Sequence, residues 1–298
     1  MKILVCVDGS DYASAGVELL RNFPFPESTE VTVLYVIEQE APFATEESIV
    51  NEREREVLRE LRTSLQERAE EVVQHEAERL LSTGWAVRES TRTGELPEAI
   101  LSAADEIDAD LIVIGARGFG ERRYSGMGRV CKKVIKYAHR SVLVSRPKEI
   151  LEDKRLRLLL AFDGSPAAKS AVKMLAGLPL AERVEITVLS VVTVATTLYS
   201  KDILERLSET WKEYVRCSQK ELDAAGVELE KATTNVSTRL IDGGANATDD
   251  IVEAANIIDA HLVVVGRTGK TRFKQFLLGS VSSEALEYSP CSVLVMIE

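Results

Sequence analysis

The chain of 298 residues is poor in the side chains that usually announce chemistry. It has three histidines, His75, His139 and His261, and no two have the spacing of a metal-binding pair. Cys6, Cys131, Cys217 and Cys291 form no Cys-x-x-Cys pair, and Cys6 lies in an apolar run where a buried thiol is expected. Neither Ser10 nor Ser165 stands in a nucleophile-elbow pattern, so both read as turn or cap residues. The P-loop pattern G-x-x-x-x-G-K-[ST] is missing, and neither Gly9-Ser10 nor Gly164-Ser165 opens a G-x-G-x-x-G loop. Basic residues are also scarce: 37 Lys and Arg against 48 Asp and Glu leave a net charge of -11. That balance argues against a nucleic-acid partner, because phosphate neutralisation needs a basic surface. A small anionic ligand remains compatible, since backbone N–H groups and helix ends hold one locally. No apolar run reaches membrane-spanning length, and the first residues enter a strand without a signal-peptide pattern. A soluble cytoplasmic protein with no membrane partner is therefore expected.

What the chain does have is a motif stated twice. ILVCVDGS at Ile3 to Ser10 returns as LLLAFDGS at Leu158 to Ser165, and EVTVLYV at Glu30 as EITVLSV at Glu185. DADLIVIGARG, ending at Gly118, is answered by DAHLVVVGRTG, ending at Gly269. A repeat about half the chain long means two copies of one small domain, each long enough to bury its own core. The expected domains are residues 1–147 and 155–298, with the polar segment 148–154 as linker. The copies are offset by 155 residues through the second strand and by 151 from the fourth onward, so the first carries four extra residues between.

Short runs rich in Val, Ile and Leu at Ile3 to Val7, Glu30 to Val36, Leu111 to Ile114 and Ser141 to Val144 read as buried parallel strands. Trp85 to Glu89 reads as an edge strand, and helices are expected near Tyr12 to Arg21, Glu52 to Leu81, Leu96 to Ile107 and Met127 to Tyr137. The second copy predicts strands near Leu158 to Phe162, Glu185 to Val191, Glu228 to Thr233, Leu262 to Val265 and Ser292 to Met296. Alternation of strand and helix predicts an α/β fold of two tandem open parallel five-stranded sheets with helices on both faces, and the order taken for the strands of each is 3-2-1-4-5. The terminal strands Ser141 to Val144 and Ser292 to Met296 are the edges expected to pair between copies. The charged stretch Asn51 to Ser82 reads as an amphipathic helix with a solvated face and room for a break, either packed by its apolar side or binding a partner.

One pattern points to a ligand. Gly266-x2-Gly269-x9-Gly279-Ser280 begins at the carboxyl end of an apolar strand and ends where Val281 to Leu286 open a helix. Glycines let the backbone approach an anion closely, and N–H groups at a helix start hold phosphate oxygens. With strand order 3-2-1-4-5, the first and fourth strands diverge at a topological switch, so Asp163 and the glycine loop would face one crevice. Asp163 either accepts hydrogen bonds from a ribose or base, or caps the following helix; Asp8 carries the same ambiguity. Arg267, Lys270, Arg272 and Lys274 in the second loop read as phosphate neutralisers or as a solvated basic loop. Arg117, Arg122, Arg123 and Arg129 form the comparable cluster in the first copy, where Gly120 and Gly126 are expected to loosen the loop.

The chain resembles a tandem universal stress protein along nearly all of both copies. The DGS segments, the VTVLYV and ITVLSV strands, the DLIVIG-type strand and the spaced glycines stand in that family's order. In the ATP-binding branch the motif ends in glycine followed by serine or threonine, as at Gly266, Gly269, Gly279 and Ser280. The resemblance implies Asp163 at the adenosine, Ala161 and Val191 at the base, and the Val281 backbone near phosphate. The first copy matches at Asp8, Val36, Gly115, Gly118 and Gly128 and departs at Arg129, which either neutralises phosphate or fills its space. The resemblance thus implies a stress-response or regulatory protein binding ATP, mainly in the second copy, with magnesium as a candidate companion. An adenine nucleotide is the implied partner, with pairing of the two copies and further homodimerisation as expected assemblies. No general base is legible, so a dedicated enzyme is not expected; a non-nucleotide interaction module and a weak metal-dependent ATP hydrolase are the alternatives.

Overall fold

The computed structural model describes residues 1–38, 52–118, 126–151, 154–193, 201–242, 246–269 and 278–297, with the side chains of Glu54 and of residues 201–208 excepted. The first copy runs β1 (Lys2–Cys6), α1 (Asp11–Asn22), β2 (Glu30–Glu38), α2 (Glu52–Leu81), β3 (Ala86–Gly94), α3 (Leu96–Glu106), β4 (Leu111–Gly115), α4 (Arg129–Tyr137) and β5 (Ser141–Ser145). The second runs β6 (Leu156–Ala161), α5 (Pro166–Ala176), β7 (Val184–Val192), α6 (Lys201–Leu229), β8 (Val236–Asp242), α7 (Ala247–Ile257), β9 (Leu262–Gly266), α8 (Ser280–Tyr288) and β10 (Ser292–Met296).

Within each copy the strands are parallel in the order 3-2-1-4-5, but the two halves do not remain separate sheets. β10 pairs antiparallel with β5, Leu294 opposite Leu143, giving one ten-stranded sheet ordered β3-β2-β1-β4-β5-β10-β9-β6-β7-β8. An apolar strand with a free ladder edge is stabilised by pairing, and here the two edges satisfy each other. Residues of α1, α2, α5 and α6 bury against one face of this sheet. Those of α3, α4, α7 and α8 cover the other.

Two expectations need correction. Glu228 to Thr233 is not a strand: α6 continues to Leu229, and the third strand of the second copy is β8. Leu222, Ala225 and Leu229 are buried at helical spacing, and the chain then turns, with Thr233 donating to the Val184 carbonyl at 3.0 Å. Tertiary burial on one helical stripe overrides the short V-E-L-E alternation. The register shows the equivalence directly, since Val31 pairs with Val87 as Ile186 pairs with Val236. Second, only the later half of α2 packs as an amphipathic helix. Ala69, Val73, Ala77 and Leu80 are buried, whereas Val57 and Leu61 stand exposed. A helix of 30 residues, at about 1.5 Å per residue, outruns the strands beneath it.

Candidate functional site

The loops leaving β1 and β4 part on either side of the switch in strand order, as do those leaving β6 and β9. At the end of β6 the chain turns through Gly164, whose φ of +75° is a left-handed conformation that glycine adopts without strain. Gly9 makes the same turn with φ +77°. The Asp163 carboxylate accepts the Ser165 N–H at 2.9 Å through Oδ1, and Asp8 accepts that of Ser10 at 2.9 Å. The helix caps are the serines rather than the aspartates: Ser165 Oγ accepts the Ala168 N–H at 3.3 Å, and Ser10 Oγ that of Ala13 at 3.2 Å.

The other carboxylate oxygen faces the glycine motif. A β-carbon on Gly269 would lie 3.0 Å from Asp163 Oδ2, and one on Gly118 would lie 3.1 Å from Asp8 Oδ2. Residues about a hundred positions apart thus meet at the carboxyl ends of adjacent strands in each copy. The first glycine of each motif permits a close helix approach: a β-carbon on Gly266 would press Ala167 Cβ at 3.0 Å, and one on Gly115 would press Tyr12 Cβ at 3.0 Å. The last glycine closes the loop, the Gly279 N–H donating to the Arg267 carbonyl at 2.8 Å and that of Gly128 to the Ala116 carbonyl at 2.8 Å. Gly279 and Gly128 share the extended helix-entry conformation, φ -65° and ψ 159°, and neither supplies a side-chain cap. Ser280 and Arg129 occupy the first helical position in the two copies, both exposed. Ala161 and Val191 are half-buried on the face shared with α7 and α8, as is Val281. Their first-copy equivalents Cys6 and Val36 are buried.

Several side chains differ from expectation. Arg267 does not point its guanidinium into the crevice. It is buried and donates to the carbonyls of Ala138 at 2.6 Å and Lys136 at 2.7 Å, at the end of α4 in the other copy. Those carbonyls are the unpaired acceptors of a helix end, for which a cation is the natural partner. Burial lowers the pKa of Arg267, as it does that of Arg146, whose guanidinium donates to the Leu286 carbonyl near the end of α8. The Gly126 carbonyl accepts from Arg117 Nε at 2.8 Å. Burial, and then the charge of Asp8, push the Cys6 thiol up, which keeps it protonated. Gly120, Arg122, Arg123, Lys270, Arg272 and Lys274 lie outside the described residues.

Sequence reasoning passed over Ser282, whose hydroxyl donates to the Gly266 carbonyl at 2.6 Å and pins the start of α8 to the end of β9. Its signal was faint, because the equivalent residue of the first copy is Cys131. A cleft of about 460 Å³ opens between α1, Arg79 of α2 and the segment Pro147 to Glu149; neither Asp8 nor Gly118 lines it. Among the described residues no group of three His, Cys, Asp or Glu side chains is placed to hold a metal, and no helix is long and apolar enough to cross a membrane.

Fold and crevice together define a class: a doubly wound α/β module present twice, with an aspartate facing a glycine turn that leads into a helix start. The chain belongs to the universal stress protein family, whose model matches it twice, over residues 1–146 and 154–296. It is 25% identical over 305 residues to a universal stress protein of Synechocystis, covering 98% of each chain. A universal stress protein of Methanocaldococcus jannaschii is 29% identical over 142 residues, covering 47% of this chain and 81% of that one. The crystal structure of a universal stress protein from Archaeoglobus fulgidus superposes with a TM-score of 0.62 and 17% identity, over 99% of this chain and 97% of that one. That likeness is one of fold.

Proposed function

We propose that this member of the family is an ATP-binding stress-response or regulatory protein whose second copy holds the nucleotide. The observation that carries the reading is the approach of Gly269 to the Asp163 carboxylate at the mouth between β6 and β9. It joins an acceptor suited to ribose hydroxyls with a turn leading to the amides of α8, which suit phosphate. Half-buried Ala161 and Val191 offer an apolar seat for a base, and burial of Cys6 and Val36 makes the first copy the poorer host. Ser280 and the Val281 backbone would meet the phosphates, with Gly266, Gly269 and Gly279 allowing close approach; in the first copy Asp8, Gly115, Gly118, Gly128 and Arg129 take the corresponding places. Arg267 serves the joint between copies instead. Magnesium would arrive on the phosphate oxygens, its usual carrier.

The reading assigns no catalytic residue, so ATP acts by changing loop order or partner affinity in a cytoplasmic protein without a nucleic-acid partner. It takes residues 1–147 and 155–298 as domains, joined by 148–154.

Calorimetric titration of ATP with magnesium onto nucleotide-stripped protein tests it. An alanine β-carbon at Gly279 would sit 3.4 Å from the Arg267 carbonyl, an ordinary contact, so the fold accommodates Gly279→Ala with Ser280→Ala. The expected result is about one site per wild-type chain, abolished in this double variant. About two sites falling to one would make the Arg129 copy functional as well. Absence of binding by folded, stripped protein would sink the proposal and favour an interaction module.

A further inference from the structure

The last turn of α8 reaches across the joint to the glycine motif of the other copy. Gly126 has φ +109°, and a β-carbon there would lie 2.0 Å from Glu287 Oε1, so the carboxylate rests directly on this glycine. Glu287 Oε2 also pairs with Lys132 Nζ at 3.7 Å, one turn into α4. The opening of α4 is the first copy's counterpart of the phosphate-facing helix start, and it is reached through Gly126 and Gly128.

The two helices have diverged in charge along equivalent positions. Where α4 carries Arg129, Lys132, Lys133 and Lys136, α8 carries Ser280, Ser283, Glu284 and Glu287. The first copy therefore brings its own cations to the helix start, while the second copy supplies an anion against the same loop. A carboxylate there engages one of those cations and adds repulsion toward a phosphate chain, and both effects grow with ligand charge.

We propose that Glu287 is a specificity-determining residue of the first copy's crevice, contributed by the second copy, and that it biases this crevice toward adenosine-type ligands of low charge and against a triphosphate tail. The inference rests on the nucleotide-binding reading above.

The test uses the full chain with Gly279→Ala and Ser280→Ala silencing the second crevice, comparing affinities for ATP and adenosine with and without Glu287→Gln. Glutamine keeps the shape of the contact and removes only the charge. Expected in the silenced chain is residual ATP binding too weak to count as a site in the stoichiometric titration, gaining about tenfold in affinity at low salt with Glu287→Gln, adenosine affinity changing by less than about twofold, and a gain that shrinks as ionic strength rises. Glu60→Gln, which removes an exposed charge on α2, should give no such gain. The inference is overturned if, while the unsilenced chain binds ATP, the silenced chain binds neither ligand with or without Glu287→Gln, or its ATP-to-adenosine ratio is unmoved by Glu287→Gln or moved equally by Glu60→Gln. Absence of both ligands from every variant, the unsilenced chain included, would instead bring down the nucleotide reading and this inference with it.

Discussion

At the scale of single residues, His261 sits between β6 and the joining segment at Glu149. Its imidazole is buried; Nδ1 accepts the Arg157 N–H at 3.1 Å, and the Glu149 backbone is its other hydrogen-bond partner. Burial, and then the charges of Arg157 and Lys148, pull its pKa down to about 4. Asp259 opposes this more weakly; its own carboxyl is held below the usual range chiefly by a hydrogen bond from Lys148. An unfolded histidine titrates near 6.5, so between about pH 6.5 and 4 the unfolded chain binds the extra proton. The contribution of His261 is therefore complete above that window and lost as pH falls through it, on the order of 2 kcal/mol by pH 5. Asp259 titrates below its ordinary carboxylate range, so its own loss comes at lower pH. His261→Asn keeps an acceptor for Arg157 and removes the titration; urea midpoints at pH 7 and pH 5 should differ less in this variant than in wild type.

At the scale of elements, packing and helix propensity give opposite answers at Gly16. In an isolated helix, Gly→Ala gains about 1 kcal/mol. In α1 a β-carbon at Gly16 would lie 2.8 Å from Val113 Cγ1 and 2.9 Å from Ser145 Oγ, and Ser145 Oγ already donates to the Tyr12 carbonyl at 2.7 Å. The helix sits so low on β4 and β5 that overpacking wins, and Gly16→Ala should destabilise the protein by about 1–3 kcal/mol, read from its urea midpoint. α4 and α8 show a second element-scale effect: their opposite charges favour pairing of first copy with second over pairing of like copies, as Lys132 and Glu287 illustrate.

At the scale of the molecule, the β5–β10 ladder and the crossed arginines make the halves one mechanical unit. Leu143 and Leu294 are buried opposite each other at the centre of that ladder. Arg146 reaches α8 and Arg267 reaches α4, each binding carbonyls of the other copy from a position that is not repeated: Arg267 corresponds to Ala116, and Arg146 to Ile297. Wild type should unfold in a single calorimetric transition. Leu294→Lys buries a charge in the seam, and its scan should show a lower first transition and a separated second, because each half has its own helices and its own five strands.

Much of this was legible beforehand because it is local. Apolar runs marked the parallel strands, the charged periodic stretch Glu52 to Leu81 marked α2 to the residue, and the repeat implied two α/β copies, whose strands stand in the order 3-2-1-4-5. β8 was missed because an edge strand reading VSTRLID carries little apolar signal, while the end of α6 imitates alternation over four residues. Family membership and the spacing of Asp163 from its glycines came from order along the chain. The directions of Arg267 and Glu287 could not, since their partners lie 129 or more residues away in the other copy. The sequence by itself determined the element type, the repeat and which residues could line a crevice, because periodicity and glycine placement are properties of neighbouring residues. Only the tertiary structure decided that the edge strands pair antiparallel with Leu294 opposite Leu143 and that the copies exchange side chains across the seam, because those contacts are set by how one folded half docks on the other.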